Sequence, residues 1–383
     1  MRNKKVLIAG DFAPTESNYK LFRDSAIETI FGEKCIQEFS EADLSIVNLE
    51  MPLCDTENPI PKWGPNLMAP TYCVHAIKNL GVSLIGLANN HIMDQGVEGL
   101  DSTLSLLRDN NIETIGAGRT LEEASKAKYF NLDDKVIGVY ACCEHEFTFA
   151  TENCAGANPF DLLHSFDEIQ QIKNKCSYLI VLFHGGIEFY RYPSPKQRQI
   201  AHKLADAGAD LVVFQHSHCV GCREKYKNSE ILYGQGNFIF DGGDNEYWQN
   251  GLLIRLNIST SVNIEYLAIQ KKGAVVRLDE DTENEVLSAF WKRSNEIRQQ
   301  GFVEKAYRQF STIRLTSYLY RMGGKITKSL LFRALNRASG QRLINWVYGE
   351  KELLCLIDYL RCEAHNELID TACSAKTYDK DRV

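Results

Sequence analysis

Eight residues near the middle of the chain combine two kinds of metal-binding side chain. Residues 215–222 read Q-H-S-H-C-V-G-C and hold two His and two Cys. His and Cys together are typical of a structural zinc site, and Cys-x-x-C is typical of a redox pair. The His-x-His half could instead belong to a larger metal centre. These three interpretations can be distinguished only with residues from elsewhere in the chain.

Polar side chains follow nearly every apolar strand predicted before residue 240. Ligands of open α/β sheets bind beyond the carboxyl ends of the strands. These ends carry Asp11, Asn48, Glu50, Asn89, Asn90, His91, Asp94, His184, Glu188, His216, His218 and Asn237. Each alone is typical of a turn or a helix cap, but together they are the residue types found in a two-metal hydrolase site. Carboxylate and imidazole ligands suit divalent Mn, Fe or Zn.

The predicted elements place these residues in an α/β fold. Short apolar strands alternate with helical segments up to about residue 240, and continuous apolar strands indicate burial on both faces. Antiparallel strands are predicted next, and from about residue 282 the pattern is helical, with breaks at Gly323-Gly324 and Ser339-Gly340. We therefore predict an α/β domain over residues 1–278 and a helical extension over residues 279–383.

Composition restricts the class of protein. The net charge of -7 argues against a nucleic-acid partner. Twelve Cys in 383 residues are too few for a disulfide scaffold and favour a reducing compartment. The apolar run at the N-terminus is too short for a signal peptide, and no stretch approaches the roughly 18 apolar residues of a membrane span. We expect a cytoplasmic location.

The order of the motifs is more specific than any one of them. The chain has G-D at 10–11, N-L-E at 48–50, N-N-H-x-x-D-x-G at 89–96, H-x-G-x-E at 184–188, H-x-H at 216–218 and Y-G-Q-G-N-F at 233–238. This order resembles the bacterial capsule-synthesis CapA (poly-γ-glutamate capsule, PGA_cap) family, a branch of the calcineurin-like metallophosphoesterase superfamily. The resemblance spans about residues 5–270. It implies a four-layer α/β/β/α sandwich, with the helical C-terminal extension outside it.

The resemblance also implies roles for individual residues. The implied metal ligands, with Glu50 bridging, are Asp11, Glu50, Asn90, His184, His216 and His218. His91 matches the catalytic histidine, which donates a proton to the leaving group. Two positions depart from the superfamily pattern: Ala13 stands where a ligating His is usual, and Gln215 stands where Gly is usual. One of the two metal sites therefore lacks a ligand.

Other residues are predicted to support the site or contact the substrate. Asp94 either orients His91 or caps the helix predicted to begin near Val97, and the sequence does not choose between them. Predicted substrate contacts are Asn48, Glu188, Asn237, Lys62 and Trp63, with Glu188 also a candidate ligand. Lys62 and Trp63 lie in a proline-rich loop at residues 54–70 and could meet an anionic or sugar-bearing substrate.

Two functions remain open at this point. One is a metal-dependent hydrolase that acts on a phosphoester or amide bond of an envelope polymer or its precursor, in capsule, poly-γ-glutamate or exopolysaccharide biosynthesis. The other is a catalytically degenerate binding or assembly protein of the same synthesis or export complex. An anionic polymer or saccharide precursor is the expected partner in both.

The C-terminal extension suggests a second partner. Residues 301–350 hold nine Lys or Arg against two Glu, mixed with large apolar residues. Such helices either lie on an anionic membrane, at the inner-membrane capsule machinery, or pack their apolar faces on the α/β domain.

Within residues 215–222, His216 and His218 are assigned to the metal site. Cys219 and Cys222 are expected to lie just past it.

Overall fold

The computed structural model describes residues 3–147, 149–243, 245–278 and 280–377. The strands of these residues are β1 Lys4–Ala13, β2 Leu44–Leu49, β3 Leu84–Gly86, β4 Glu113–Ile115, β5 Ala117–Gly118, β6 Lys128–Leu132, β7 Lys135–Cys143, β8 Gly156–Ala157, β9 Tyr178–His184, β10 Leu211–Gln215, β11 Val220–Tyr226, β12 Ser229–Gln235, β13 Asn237–Phe240, β14 Asn250–Ile258, β15 Val262–Lys272 and β16 Val275–Leu278. The helices are α1 Tyr19–Arg23, α2 Ile27–Phe31, α3 Glu33–Ser40, α4 Cys73–Leu80, α5 Gly96–Asp109, α6 Leu121–Ala124, α7 Ser165–Lys173, α8 Pro195–Asp206, α9 Glu246–Gln249, α10 Glu280–Glu296, α11 Phe302–Met322, α12 Gly324–Lys328, α13 Leu330–Ala338, α14 Arg342–Val347, α15 Glu350–Arg361 and α16 Glu363–Thr377.

Two mixed sheets carry the α/β part of the chain. The first runs β16-β15-β14-β1-β2-β3-β4, with β13 also paired to β1, and the second runs β11-β12-β10-β9-β7-β6. Strands β1, β2, β3 and β4 are parallel, as are β7, β9, β10 and β12. The predicted antiparallel pairing of β14 with β15 is confirmed. Parallel neighbours bring successive carboxyl ends to one edge of each sheet.

Side chains along β9 show how the layers pack. Ile180 and Leu182 belong to the core shared with the first sheet, whereas Leu179, Val181 and Phe183 belong to a second core with helices α7 and α8. Side chains alternate between the two faces of a strand, so the second sheet is covered by the first sheet on one face and by helices on the other. The predicted α/β class and four-layer α/β/β/α sandwich of metallophosphatase type are confirmed.

A buried amide pair ties the two sheets together beneath the candidate site. Gln215 donates through Nε2 to Gln235 Oε1 at 3.0 Å, and Gln235 donates to the carbonyl oxygen of Ile8 at 2.8 Å. A Cβ at Gly10 would lie 2.0 Å from the Gly236 oxygen, so only glycine permits this approach. The end of β1 is thereby held against β13.

The chain divides into two compact units, residues 1–303 and 304–383. Helix α10 belongs to the first unit because it packs on β11: Arg293 donates to the Gly221 oxygen at 2.7 Å, and the Arg223 backbone N–H donates to Ser294 Oγ at 2.9 Å. The predicted boundary after residue 278 stays a prediction, and Asp279 lies outside the described residues.

The C-terminal unit is helical, as predicted. The breaks at Gly323-Gly324 and Ser339-Gly340 are confirmed, since α11 ends at Met322 and α13 at Ala338. Inside this unit the buried Asn336 donates to the Tyr320 hydroxyl at 2.6 Å and accepts from the Ile344 N–H at 2.9 Å. Among the described residues, no helix is both long enough and apolar enough to cross a bilayer.

Candidate metal centre

The side chains predicted to bind metal converge where β1, β2, β9 and β10 end. Two groups have all ligand atoms within 4.8 Å of one another: one is Glu50, His184 and His216, and the other is Asp11, Glu50 and His218. All five residues are buried, and Glu50 is common to both groups. Its Oε1 lies 3.3 Å from His184 Nε2 and 3.8 Å from His218 Nε2. A carboxylate in this position can bridge two cations.

The charge of Glu50 is only partly balanced by the protein, because Nε2 of His218 lies 3.8 Å from its Oε1. Both carboxyl oxygens are buried and, within the described part of the chain, neither accepts a hydrogen bond. Burial, with the nearby negative charge of Asp11, raises the pKa of Glu50 well above its usual range. An unpaired buried carboxylate costs several kcal/mol unless a cation compensates it. The donor set therefore fits a divalent metal ion.

Asp11 is held as an anion by its neighbours. Asn48 Nδ2 donates to Oδ1 at 2.8 Å, and the backbone N–H of His216 donates to Oδ2 at 3.2 Å. Burial alone would raise the pKa of Asp11, but the hydrogen bond from His218 and the neighbouring histidines lower it to about 2. Asp11 therefore offers a charged oxygen to a metal at neutral pH.

His218 is oriented by the strand that pairs with β1. Its Nδ1 lies 2.9 Å from Asn237 Oδ1, which fixes a proton on Nδ1. Nε2, on the side of Glu50, is then the nitrogen that could bind a metal. Burial opposes its protonation, but the charges of Glu50 and Asp11 prevail and raise the pKa of His218 to about 9. A metal ion would have to displace this proton.

His184 and His216 form the other side of the centre. His184 Nε2 lies 3.0 Å from Asn90 Oδ1 and 3.2 Å from His216 Nδ1. Burial lowers the pKa of His184 to about 4 and that of His216 well below its usual range. Both rings are therefore neutral at pH 7, the form that binds metal. Asn90 Oδ1 lies on this side and could supply a fourth ligand, an oxygen.

The turn after β10 has a strained backbone. His216 and His218 have φ angles of +81° and +52°. These values lie in the left-handed region, which residues other than glycine seldom adopt. Strain of this kind costs on the order of 1–3 kcal/mol per residue and concentrates at functional sites. The turn aims both imidazoles at Glu50.

His91 lies beside the metal centre in a buried network of its own. Its Nδ1 lies 2.6 Å from Asp94 Oδ2, and Lys62 Nζ lies 3.2 Å from the same nitrogen. Lys62 also forms an ion pair with Asp94. Because a carboxylate only accepts, Nδ1 of His91 carries its proton toward Asp94, and the Lys62 ammonium donates to the same carboxylate. Burial lowers the pKa of His91, opposed by Asp94.

Asp94 orients His91 and does not cap a helix. Helix α5 has Gln95 at its N-cap position, without a side-chain capping bond. Asp94 instead organises the loop at residues 54–70: Oδ2 accepts from the Leu67 N–H at 2.6 Å, and its carbonyl oxygen accepts from the Ile60 N–H at 3.1 Å. The loop that carries Lys62 is therefore fastened to the segment that carries His91.

The residues predicted to contact substrate are distributed around the centre. Asn48 is buried behind it, where its amide lies between Asp11 and His184. Trp63 and Glu188 are exposed, and Glu188 belongs to neither ligand group. Their predicted contacts with substrate stay predictions, as does that of Lys62.

The two cysteines of residues 215–222 lie outside the centre. Cys219 and Cys222 are buried free thiols, and burial raises the pKa of both. In the part of the chain that the structure describes, neither group of metal-capable side chains contains a Cys. Cys222 lies in strand β11, which pairs antiparallel with β12. The Cys-x-x-C spacing therefore reflects strand packing.

The centre is also shaped by Asn89 of the strand-end cluster and by three residues that the sequence does not mark. Glu146 accepts from Asn90 Nδ2 at 2.9 Å, and Asn89 accepts from the His91 N–H at 3.1 Å. Trp248 stacks on His218 with ring centroids 4.8 Å apart, and Phe189 meets Trp248 at 5.4 Å. Asn89 belongs to the strand-end cluster, but Trp248 and Phe189 have no periodicity that marks them as a wall of the site.

Ala13 leaves the two sides of the centre unequal. It is buried near the end of β1, two residues beyond Asp11. The side with Asp11, Glu50 and His218 has three ligands, whereas the side with Glu50, His184 and His216 adds Asn90. Nitrogen and oxygen ligands of these types suit divalent ions such as Mn, Fe or Zn.

Comparison with known sequences points to one family. The family model described as "Bacterial capsule synthesis protein PGA_cap" matches residues 5–242. The PGA biosynthesis protein CapA of Bacillus subtilis (strain 168) is 33% identical over 176 residues, 44% of this chain and 46% of that protein. The capsule biosynthesis protein CapA of Bacillus anthracis is 30% identical over 184 residues, 46% of this chain and 45% of that protein. The matches span about half the length of these relatives.

Two solved structures with a similar fold are described as enzymes. A novel phosphatase from Mycoplasma pneumoniae has 14% identity and a TM-score of 0.44, covering 70% of this chain and 94% of that one. A putative 5'-nucleotidase from Staphylococcus aureus has 15% identity and a TM-score of 0.41, covering 76% and 58%. Similarity at this level carries no information about activity.

Proposed function

The chain belongs to the bacterial capsule synthesis protein PGA_cap family, and on that premise we propose that it is a metal-dependent hydrolase of capsule polymer biosynthesis. The bond it cleaves is a phosphoester or an amide of an anionic envelope polymer or of its precursor. One observation carries the proposal: Glu50 is buried without a hydrogen-bond partner and is shared by two groups of metal ligands.

The residues that would hold the metal are those whose donor atoms converge. On one side these are Glu50, Asn90, His184 and His216, and on the other Asp11, Glu50 and His218. When bound, a divalent ion lowers the pKa of water and stabilises negative charge that develops on a phosphoryl or carbonyl oxygen. Asn48 and Asn237 orient the ligands by hydrogen bonds.

His91 supplies the acid chemistry in this proposal. Asp94 accepts the Nδ1 proton of its imidazole and favours the imidazolium form, in which Nε2 carries a second proton that it can transfer to the leaving group. Lys62 balances the charge of Asp94 and thereby keeps the carboxylate fixed behind the ring. This arrangement of an imidazole, an orienting carboxylate and a balancing ammonium supports general acid catalysis over simple structural roles.

An anionic polymer is the substrate class that the relatives favour. Two of them are named for PGA or capsule biosynthesis. The metal ligation does not separate amide from phosphoester cleavage, because the same cation charge stabilises both oxyanions. The substrate therefore has to be assigned by assay.

The test compares two substrates on the same metal-loaded protein. An oligomer of γ-linked glutamate and a nitrophenyl phosphodiester are each incubated with protein to which Mn or Zn has been added. Hydrolysis of either is expected, and Glu50→Gln and His91→Asn should each lower the rate by about a hundredfold or more. His202→Gln, outside the centre, is the matched control. No hydrolysis of either substrate by metal-loaded protein contradicts the proposal.

A catalytically degenerate binding or assembly protein is the second candidate. Ala13 favours it, because the side with Asp11 and His218 lacks a fourth ligand from the protein. Such a protein would bind the polymer with or without metal and would release no product. Binding of the γ-linked oligomer without turnover, in the assay above, distinguishes this function from hydrolysis.

We also propose that the C-terminal unit contacts an anionic membrane surface, on the cytoplasmic side where capsule precursors are handled. Five large apolar side chains there are 71–83% exposed: Ile313, Ile326, Leu330, Leu331 and Trp346. Residues 301–350 add nine Lys or Arg against two Glu. Exposed apolar side chains among basic ones match a bilayer with anionic headgroups.

A further inference from the structure

A polar cavity is lined in part by Val220, which follows His218 of the metal centre by two residues. It has a volume of about 220 Å³, and its polar lining includes Arg191, Glu246, Asn250 and Arg293. We call it the arginine pocket. None of these residues belongs to the groups that could hold a metal. The pocket is therefore distinct from the metal centre.

Arg293 is a buried cation without an acidic partner. It is 8% exposed, and it donates through Nε to the Gly221 oxygen at 2.7 Å and through Nη2 to the Val220 oxygen at 2.9 Å. Among the described residues no carboxylate pairs with it, and three of its five N–H groups have no protein acceptor. A buried guanidinium with spare donors is costly unless an anion or water meets them.

The rest of the lining shows what kind of group would fit. Arg191 is paired through Nη2 with Glu246 at 2.8 Å, but its buried Nε has no partner. Burial and the positive charge of Arg191 lower the pKa of Arg293. The buried side-chain oxygen of Asn250 also lacks a donor. Free donors from two guanidinium groups, beside one free acceptor, match a carboxylate with a neighbouring N–H group.

Helix α9 connects the pocket to the metal centre. Its Trp248 stacks on His218 at 4.8 Å, while its Glu246 and the following Asn250 line the pocket. Arg191 lies over the Tyr247 ring of the same helix, 4.7 Å from its centroid. The two sites thus lie on either side of one helical turn. An extended ligand that binds at the metal centre could place its next anionic group in the pocket.

We infer that the arginine pocket is a subsite for a carboxylate of an amide-linked anionic polymer, one unit away from the bond held at the metal centre. The inference rests on the proposed function for the identity of the polymer, but the pocket itself is defined without the metal. Glu246 and Glu285 at its rim restrict it to ligands that pair an anion with an N–H donor. An isolated inorganic anion meets only half of this requirement.

The test measures binding to metal-free protein, so that it is independent of hydrolysis. The full chain is treated with a chelator and titrated calorimetrically with a γ-linked glutamate trimer and separately with inorganic phosphate. The trimer is expected to bind more tightly than phosphate. Arg191→Gln is expected to weaken trimer binding by about tenfold or more, since it removes a charged hydrogen-bond donor.

Arg223→Gln is the matched control, because Arg223 lies on β11 but pairs with Glu230 outside the pocket. It should leave the trimer affinity unchanged. Arg293→Gln should weaken trimer binding as well. If Arg293→Gln does not fold, the trimer affinity of Arg191→Gln alone tests the inference. The inference is overturned if the trimer does not bind, if phosphate binds equally tightly, or if Arg191→Gln and Arg223→Gln behave alike. Any of these results leaves the hydrolysis assay, and so the proposed function, untouched.

Discussion

Lys62 and Asp94 form an ion pair that is almost completely excluded from solvent, with 2% of the Lys62 side chain and 0% of the Asp94 side chain exposed. The same carboxylate accepts from His91 and from the Leu67 N–H. Buried pairs persist only when further hydrogen bonds satisfy both charges. The pair thus links the conformation of a loop to the orientation of the imidazole proposed to act as acid.

Replacing Asp94 should destabilise the protein because it leaves the Lys62 charge buried. We expect Asp94→Asn to lower the free energy of unfolding by about 3 kcal/mol, and Lys62→Met/Asp94→Asn to lower it by less than the sum of the two single changes. Urea unfolding measures all three. Lys20→Met, which removes an exposed pair with Asp24, should have almost no effect. Additive single changes would contradict the coupling of Lys62 and Asp94.

Metal affinity should depend on pH because protons compete for the ligands. Burial raises the pKa of Glu50, and that of His218 is raised to about 9, so His218 holds a proton at neutral pH when no metal is bound. Metal binding releases this proton, and affinity should therefore rise with pH, by about tenfold per unit, and level off above the pKa of His218. Calorimetric Mn titrations between about pH 6 and pH 8 test this. An affinity that is constant or that falls with pH would show the ligand set to be wrong.

Restoring an imidazole at position 13 should strengthen the three-ligand side. Ala13 and Asp11 are two residues apart on β1, and such residues point to the same face of a strand. Ala13→His is expected to raise the affinity for a second Mn ion about tenfold or more. Ala13→Leu, similar in bulk but without a ligand atom, separates ligation from packing. Identical metal affinities in two folded variants would contradict the expectation.

Contact with membranes should depend on the exposed apolar and basic residues of the C-terminal unit. The intact chain is expected to sediment with phosphatidylglycerol vesicles at low salt, and much less with phosphatidylcholine vesicles. Arg333→Gln/Arg337→Gln should weaken this binding by about 2 kcal/mol, or roughly thirtyfold. Leu368→Ser, an exposed site outside the basic segment, is the control. Failure of the intact chain to bind would favour packing of these helices on protein.

The strand ends could be predicted from the sequence because parallel strands share one edge. Asp11, Glu50, His184 and His216 each follow or end a continuous apolar run, and the structure brings them together. The same rule does not predict how far each side chain lies from the metal ligands. Asn48 also lies at a strand end, but its side chain lies behind the ligands. Its placement there depends on how the two sheets pack.

Contacts between distant segments could not be read from residue patterns. Lys62 lies in a loop without periodicity, and its partner Asp94 is fixed only when that loop folds over the segment after β3. Helices α1 and α2 have only five residues each, and apolar residues show no helical period over so short a segment. Helix α10 was predicted as helical, but its packing on β11 depends on buried contacts of Arg293 and Ser294.

The most direct test of the central claim is the metal content of the protein and of one variant. Purified protein is incubated with Mn, freed of unbound metal and examined by mass spectrometry, in parallel with Glu50→Gln and with His202→Gln as the control. Because Glu50 is shared by both ligand groups, the wild type and His202→Gln should retain at least one ion per chain, and Glu50→Gln should retain almost none. A wild type with only trace metal, or a Glu50→Gln variant that binds as much as the wild type, would contradict the claim.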